Sequence, residues 1–154
     1  MKNENYLLRL YKDDDYEVLS DSLISKKYLH KYLNKGLLLS VLSFCGLYKS
    51  TLYLLECNYC IVASGVIRQK FDFAKLKPQY WLYGIEVVEQ QRGKGIGSFL
   101  MEKLLENLKN NHIEQVFLKV AKDNTVALNL YGKCGFIKYK TQENDYILIL
   151  KYNG

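Results

Sequence analysis

The densest chemistry in the chain lies in six residues, Arg92-Gly93-Lys94-Gly95-Ile96-Gly97. Three alternate glycines leave the backbone N–H groups bare, because no Cβ stands between them and an approaching ligand. Residues 98–109 repeat apolar letters at helical spacing, so the loop opens a helix. A helix start carries about half a positive charge and its first N–H groups lack internal partners, which makes an anion such as phosphate the natural occupant. Arg92 and Lys94 add formal charge there. Two familiar phosphate loops do not fit these letters. The P-loop, Gly-x-x-x-x-Gly-Lys-Ser/Thr, needs Gly where Val88 stands and Ser or Thr where Gly95 stands. The dinucleotide fingerprint needs a third Gly where Ser98 stands and an acid closing the next strand, whereas Glu114 precedes that strand. A glycine-rich turn with no ligand is the remaining plain alternative.

The loop needs neighbours to hold it. Residues 5–11 alternate as a first strand would, and Asp13-Asp14-Asp15 supply a cap and first-turn acids for a helix through Tyr16, Val18, Leu19 and Leu23. Residues 26–35 form a second helix, stopped at Gly36. Residues 51–57 and 59–73 are rich in β-formers around a short polar turn, an antiparallel hairpin, and residues 79–88 make the next strand. After the loop, Ile96, Phe99, Leu100, Leu104 and Leu108 share one helix side, with Glu102, Lys103, Glu106, Asn107 and Lys109 opposite. Residues 115–121 give a further strand, residues 124–133 a short helix, and residues 136–140 with 146–152 a closing antiparallel pair. This order predicts an α/β (α+β) fold: a mixed central sheet of six to seven strands flanked by about four helices, the glycine loop joining its middle strand to its main helix.

A chain of 154 residues fits one domain, residues 1–154, and can bury roughly two-thirds of its unfolded surface. With 25% charged residues, a single Pro and no repeat, no linker or disordered arm is indicated. The longest apolar run, residues 37–47, falls far short of the ~20 residues that span a bilayer, and the opening residues carry no signal-like stretch, so a cytoplasmic protein without membrane attachment is expected. The net charge of +6 is spread over scattered lysines, and the tyrosines alternate as in strands; a solvated basic surface, not a nucleic-acid site, is expected. Cys57 and Cys60 form a lone C-x-x-C with His30 and His112 distant in sequence, which points to a reduced hairpin and no metal site. Cys45 is assigned to the core.

The chain resembles the GNAT superfamily, the Gcn5-related N-acetyltransferases. Arg92 to Gly97 matches the family's Arg/Gln-x-x-Gly-x-Gly/Ala, and residues 124–136 match its Asn-x-x-Ala-x-x-Leu-Tyr-x-Lys-x-Gly-Phe. The resemblance covers nearly the whole order of elements, although residues 1–50 hold no diagnostic letters. It implies a GNAT fold and an enzyme that moves an acetyl group from acetyl-CoA to a primary amine by direct attack. On that basis Arg92, Gly93, Lys94, Gly95, Ile96 and Gly97 would cradle the CoA pyrophosphate, and Val87 and Val88 would pair their backbone with the pantetheine arm. Asn124 would hydrogen-bond the cofactor, and Tyr131 would serve as general acid at the thioester sulfur. Asn124 would equally cap a helix, and Tyr131 would equally pack in a core; Ala127, Leu130 and Phe136 are packing residues. Cys134 falls at a variable position of the motif and is not taken as a nucleophile.

The family has no universal base, so that role is read from position. Glu86 is the candidate, being one residue before Val87 on the central strand, with Glu89, Glu56 and Asp72 as weaker alternatives. An aromatic set, Tyr28, Tyr32, Phe44, Tyr48, Phe71, Phe73, Tyr80, Trp81 and Tyr83, would suit an apolar acceptor cleft, and core packing would account for much of it. A small-molecule amine is the expected acceptor; a peptide or protein amine, N-terminal or lysine, is the alternative, and a non-catalytic acyl-CoA-binding module a second one. The family leaves room for a homodimer, with no interface marked in the letters.

Overall fold

The computed structural model describes residues 5–15, 19 and 45–152. Its elements are β1 (Tyr6–Leu10), β2 (Tyr48–Cys57), β3 (Cys60–Asp72), β4 (Lys77–Val87), a 3-10 turn (Glu89–Gln91), α1 (Ile96–Asn110), β5 (Gln115–Ala121), α2 (Thr125–Lys133), β6 (Ile137–Thr141) and β7 (Asp145–Lys151). The seven strands form one sheet in the order β1-β2-β3-β4-β5-β7-β6. Every neighbouring pair is antiparallel except β4 and β5, which run parallel with α1 crossing between them. The mixed α/β sheet matches the sequence-based expectation. Asp15 and Leu19 are helical, as expected; the rest of the first expected helix, and all of the second, lie outside the described residues.

Apolar spacing in α1 decides which side of the sheet it covers. Ile96, Leu100, Met101, Leu104 and Leu108 are buried along one stripe, as a 3.6-residue period requires. They pack on Ala63, Ile67, Leu82, Val116 and Leu118. At Gly65 a Cβ would stand 2.7 Å from the Leu104 Cδ1, so the helix approaches β3 closely there. Odd-numbered β3 residues from Ala63 to Gln69 therefore face α1, and Ser64, Val66, Arg68 and Lys70 face the other way. On that other face Leu19 packs with Leu52, Leu54 and Val66 in a second small core.

Two turns shape the sheet. Asn58 and Tyr59 both take positive φ, 49° and 64°, the two-residue turn that fits the twist of a tight hairpin. Cys57 and Cys60 face each other across it as free thiols. The expectation that Cys45 belongs to the core is not met: it is exposed, in a turn ahead of β2. On β4, Gly84 and Ile85 together oppose the single residue Gly65, since Val66 pairs with Tyr83 and Ser64 with Glu86. Gly84 adopts φ of 55°, open to glycine at little cost, and this bulge bends β4.

Candidate active site

The bend opens a seam. β4 pairs with β5 only at Tyr80–Val116, Trp81–Phe117 and Leu82–Leu118, although β4 continues to Val87 and β5 to Ala121. Beyond Leu82 the two parallel strands are not paired with each other, and both run toward the end of the sheet where the glycine loop and Asn124 lie. Carboxyl ends of parallel strands, with helix N-termini beside them, are where α/β sheets receive ligands.

Val87 and Val88 alternate across β4. The Val88 N–H donates to the Val62 carbonyl at 2.9 Å, and its carbonyl accepts from the Gln91 N–H at 2.9 Å. Both backbone groups of Val88 are thus engaged within the protein. Antiparallel ladders alternate the side to which successive residues point, so the Val87 backbone faces the seam. Its carbonyl accepts from Arg92 Nε at 3.1 Å.

Arg92, Gly93, Lys94 and Gly95 are exposed at the mouth of this seam. Gly95 sits immediately before α1 at φ 82°, and no side chain caps the helix. The first-turn N–H groups of a fifteen-residue helix are therefore left for solvent or an anion. A Cβ on Gly97 would lie 3.5 Å from Leu130 Cδ2 and 3.6 Å from Val87 Cγ2. Gly97 thereby marks the point where the start of α1, the end of β4 and α2 meet.

From α2 come the other two expected residues. Asn124 Oδ1 accepts from the Ala127 N–H at 3.0 Å, which caps the helix. Asn124 is exposed, and its Nδ2 group makes no hydrogen bond to a described residue, so capping and ligand donation are compatible. Tyr131 is 9% exposed and packs on Phe136, with ring centroids 6.0 Å apart. Among the described residues its hydroxyl has no hydrogen-bond partner. Burial, with a smaller contribution from Cys134, pushes the phenol up to about 12. At neutral pH Tyr131 therefore holds its proton and can donate it.

Glu86 pairs in register with the buried Ser64 on the face away from α1. Desolvation raises its carboxyl above the ordinary value, and the nearby Arg92 charge pulls the other way. A carboxylate displaced upward is a stronger base than one in water. The weaker alternatives are occupied elsewhere. Glu56 accepts from Arg9 Nε at 2.8 Å. Asp72 turns into the β3–β4 hairpin, where it accepts from Gln79 Nε2 at 2.6 Å. Glu89 is exposed on the 3-10 turn.

The sheet divides the expected aromatic set. Tyr80 lies on the α1 side, lining a cavity of about 240 Å³ with Tyr53, Gln69 and Asn107 at the far end of that helix. Phe71 and Phe73 pack edge to face at the outer hairpin. Tyr28, Tyr32 and Phe44 lie outside the described residues. Tyr48, Trp81 and Tyr83 share the face of Glu86, where Arg68 and Lys70 lie over their rings. This cationic and aromatic cluster was not singled out from the sequence. Its signal is the matching alternation of Arg68 with Lys70 on β3 and Trp81 with Tyr83 on β4.

The fold is thus an α/β one whose mixed sheet carries an open parallel seam, with an uncapped helix start and a glycine loop at its mouth. The family model described as "Acetyltransferase (GNAT) family" matches residues 7–136, and the chain belongs to that family. An N-alpha-acetyltransferase of Sulfurisphaera tokodaii is 30% identical over 106 residues, 64% of each chain. The Bacillus subtilis protein "Uncharacterized N-acetyltransferase YobR" is 49% identical over 55 residues, 36% of this chain and 22% of that protein. The matches thus span less than two-thirds of these relatives' own length. A GNAT family acetyltransferase from Elizabethkingia anophelis, solved with acetyl-CoA bound, superposes with a TM-score of 0.68 at 20% identity, over 96% of this chain and 99% of that one. At that identity the likeness is one of fold.

Proposed function

We propose that the chain transfers an acetyl group from acetyl-CoA to a primary amine. The reading is supported by the uncapped start of α1 and the seam-facing backbone of Val87, with α2 reaching Gly97 through Leu130, the residue before Tyr131, whose proton is held. In this reading the N–H groups from Gly93 to Gly97, with Arg92 and Lys94, hold the pyrophosphate. Val87 pairs with the pantetheine arm and Asn124 Nδ2 donates to it. Arg92 leaves the Val87 carbonyl to do so. When bound, acetyl-CoA supplies the activated acetyl thioester.

The residues of the chain then have three tasks. An alkyl amine with a pKa of about 10.4 needs roughly 4.6 kcal/mol to become neutral at pH 7. Glu86 accepts that proton, directly or through a water. Tyr131 donates a proton to the departing thiolate. Holding the two reactants in line contributes ~7 to 11 kcal/mol, against about 3 to 5 kcal/mol from a positioned acid or base. Alignment by the seam is therefore the larger contribution, and loss of Glu86 or Tyr131 slows turnover without removing cofactor affinity.

A small-molecule amine is the first reading of the acceptor, supported by the compact cluster of Trp81, Tyr83, Arg68 and Lys70 on the same sheet face as Glu86. A peptide α-amine is the second, favoured by the Sulfurisphaera relative, which is named an N-alpha-acetyltransferase. Incubation with acetyl-CoA and a panel of amines and peptides tests both, with DTNB detection of free CoA and mass spectrometry of the product. Acetylation confined to peptides would defeat the first reading. Tight acetyl-CoA binding with no transfer to any acceptor would leave only a binding module.

A further inference from the structure

The hairpin between β2 and β3 carries a pair of thiols that acetyl transfer leaves unused. Cys57 and Cys60 are register partners on either side of the Asn58–Tyr59 turn, so their side chains leave the same face of the sheet. Both are free. Cys60 is exposed, and Cys57 is half-buried against the core that α1 covers. Tyr59 holds φ of 64° with a bulky side chain and is 99% exposed, so packing of its ring does not account for so tight a turn. The turn's effect is to keep the two cysteines opposite each other.

Partners joined across a turn hydrogen bond lie about 5.5 Å apart at Cα, inside the roughly 4.4 to 6.8 Å that a disulfide spans. Their Cβ atoms, about 4.5 to 5.5 Å apart in such a pair, have to close by roughly 1 Å to reach bonding geometry. A bond made that way is strained and easily reduced. The pair therefore suits a reversible disulfide better than a permanent staple. Cys45 and Cys134 both lie outside the strands and belong to no ladder pair.

We propose that Cys57 and Cys60 form a reversible disulfide that lowers affinity at the acetyl-CoA site. Formation of the bond is independent of the transferase reading, whereas its effect on the cofactor rests on that reading. The Cys60 thiolate attacks one sulfur of a low-molecular-weight disulfide, which releases one thiol and leaves a mixed disulfide on the chain. The Cys57 thiolate then displaces the second thiol. In sum the chain gives up two protons and two electrons, and the small disulfide leaves as two thiols. Closure reaches the glycine loop from both sides. Two residues after Cys60, the Val62 carbonyl holds the Val88 N–H at 2.9 Å, just ahead of the loop. Cys57 pairs with Tyr6 on β1, whose ring lies 5.2 Å from that of Phe99, and the Phe99 N–H donates to the Gly95 carbonyl at 3.1 Å. Drawing the cysteines together pulls on both anchors.

The test equilibrates the full chain with mixtures of glutathione and glutathione disulfide, blocks the remaining thiols, and maps tryptic peptides by mass. The peptide from Ser50 to Arg68 holds these two cysteines and no other. It is expected to become lighter by two hydrogens in oxidising mixtures and to return with dithiothreitol. After removal of the glutathione, the oxidised chain is expected to bind acetyl-CoA at least threefold more weakly by calorimetry. Cys60→Ser is expected to bind like the reduced wild type and to ignore the oxidant, while Cys45→Ser keeps the full response. Glutathione adducts without the lighter peptide overturn the proposal. So does a bond that leaves the acetyl-CoA Kd unchanged, or a loss of affinity that persists in Cys60→Ser when its thermal unfolding matches wild type. A reduced chain that binds no acetyl-CoA overturns the cofactor reading and the affinity effect with it, while the peptide mass still decides the bond.

Discussion

Tyr131 and Glu86 occupy opposite chemical situations. Tyr131 is buried among Phe136 and the core of α2 and keeps its proton up to about 12. Glu86 is partly desolvated, so its carboxyl sits above 4.5, its ordinary value, with Arg92 limiting the rise. Tyr131→Phe is expected to lower kcat by about 10²-fold or more with little change in acetyl-CoA affinity; unaltered turnover with a competent amine would end its acid role. For Glu86 the sign follows from the carboxylate being the working form. Activity falls as pH drops through its raised pKa, so the acid limb of kcat/KM lies above pH 4.5, and Glu86→Gln removes that limb along with most of the rate. A profile of the same shape in the variant would reassign the base. Both residues were legible as letters, Tyr131 from the family's motif and Glu86 from its place before Val87. Which of the two adjacent valines turns its backbone to the seam was not legible, because that depends on ladder alternation and the Gly84 bulge, neither of which is written in residue type.

At the scale of elements, α1 joins two functions: its apolar stripe fixes the sheet and its bare start faces the seam. Gly95 at φ 82° tolerates no β-branched side chain without strain, whereas Gly97 has ordinary contact distances to Leu130 and Val87. Gly95→Val is expected to weaken acetyl-CoA binding at least tenfold by calorimetry, while Gly97→Ala stays within a few-fold of wild type. Similar affinities in both variants would detach the loop from the cofactor. At the other edge, Arg9 bridges β1 to Asp15 at the first helix and to Glu56 on β2, at 2.7 and 2.8 Å. Arg9 holds the Asp15 carboxyl below its ordinary value, chiefly through that hydrogen bond. The stability it lends is therefore complete above 3.8 and is lost as pH falls through the lowered pKa. Arg9→Met is expected to cost about 2 to 3 kcal/mol at neutral pH, since two partly buried carboxylates lose their partner, with a smaller penalty in acid. A uniform loss across pH, measured by urea unfolding, would show that packing of the Arg9 stem accounts for it. The acids of residues 13–15 were legible as a helix start; their pairing with Arg9 was not, because contacts between residues distant in sequence leave no local pattern.

Across the whole molecule, the element order from β1 to β7 and the mixed sheet followed from periodicity and turn residues. The seam did not, since it arises where β4 and β5 stop pairing, a property of twist and bulge summed over both strands. Nor did the split of the aromatic set, which needs the register of three strands to tell Tyr80 from Trp81. The molecule that results places a glycine loop and an uncapped helix start at the mouth of an open seam, with Glu86 and a cation-lined aromatic wall on the face away from α1. Transfer of the acetyl group from acetyl-CoA to an amine, followed as free CoA and acetylated product in the same reaction, tests this arrangement most directly. Equal yields of CoA and acetylated amine, both lost in Gly95→Val at limiting acetyl-CoA, are the expected result. Saturable acetyl-CoA binding without acetylated product from any amine or peptide would contradict it.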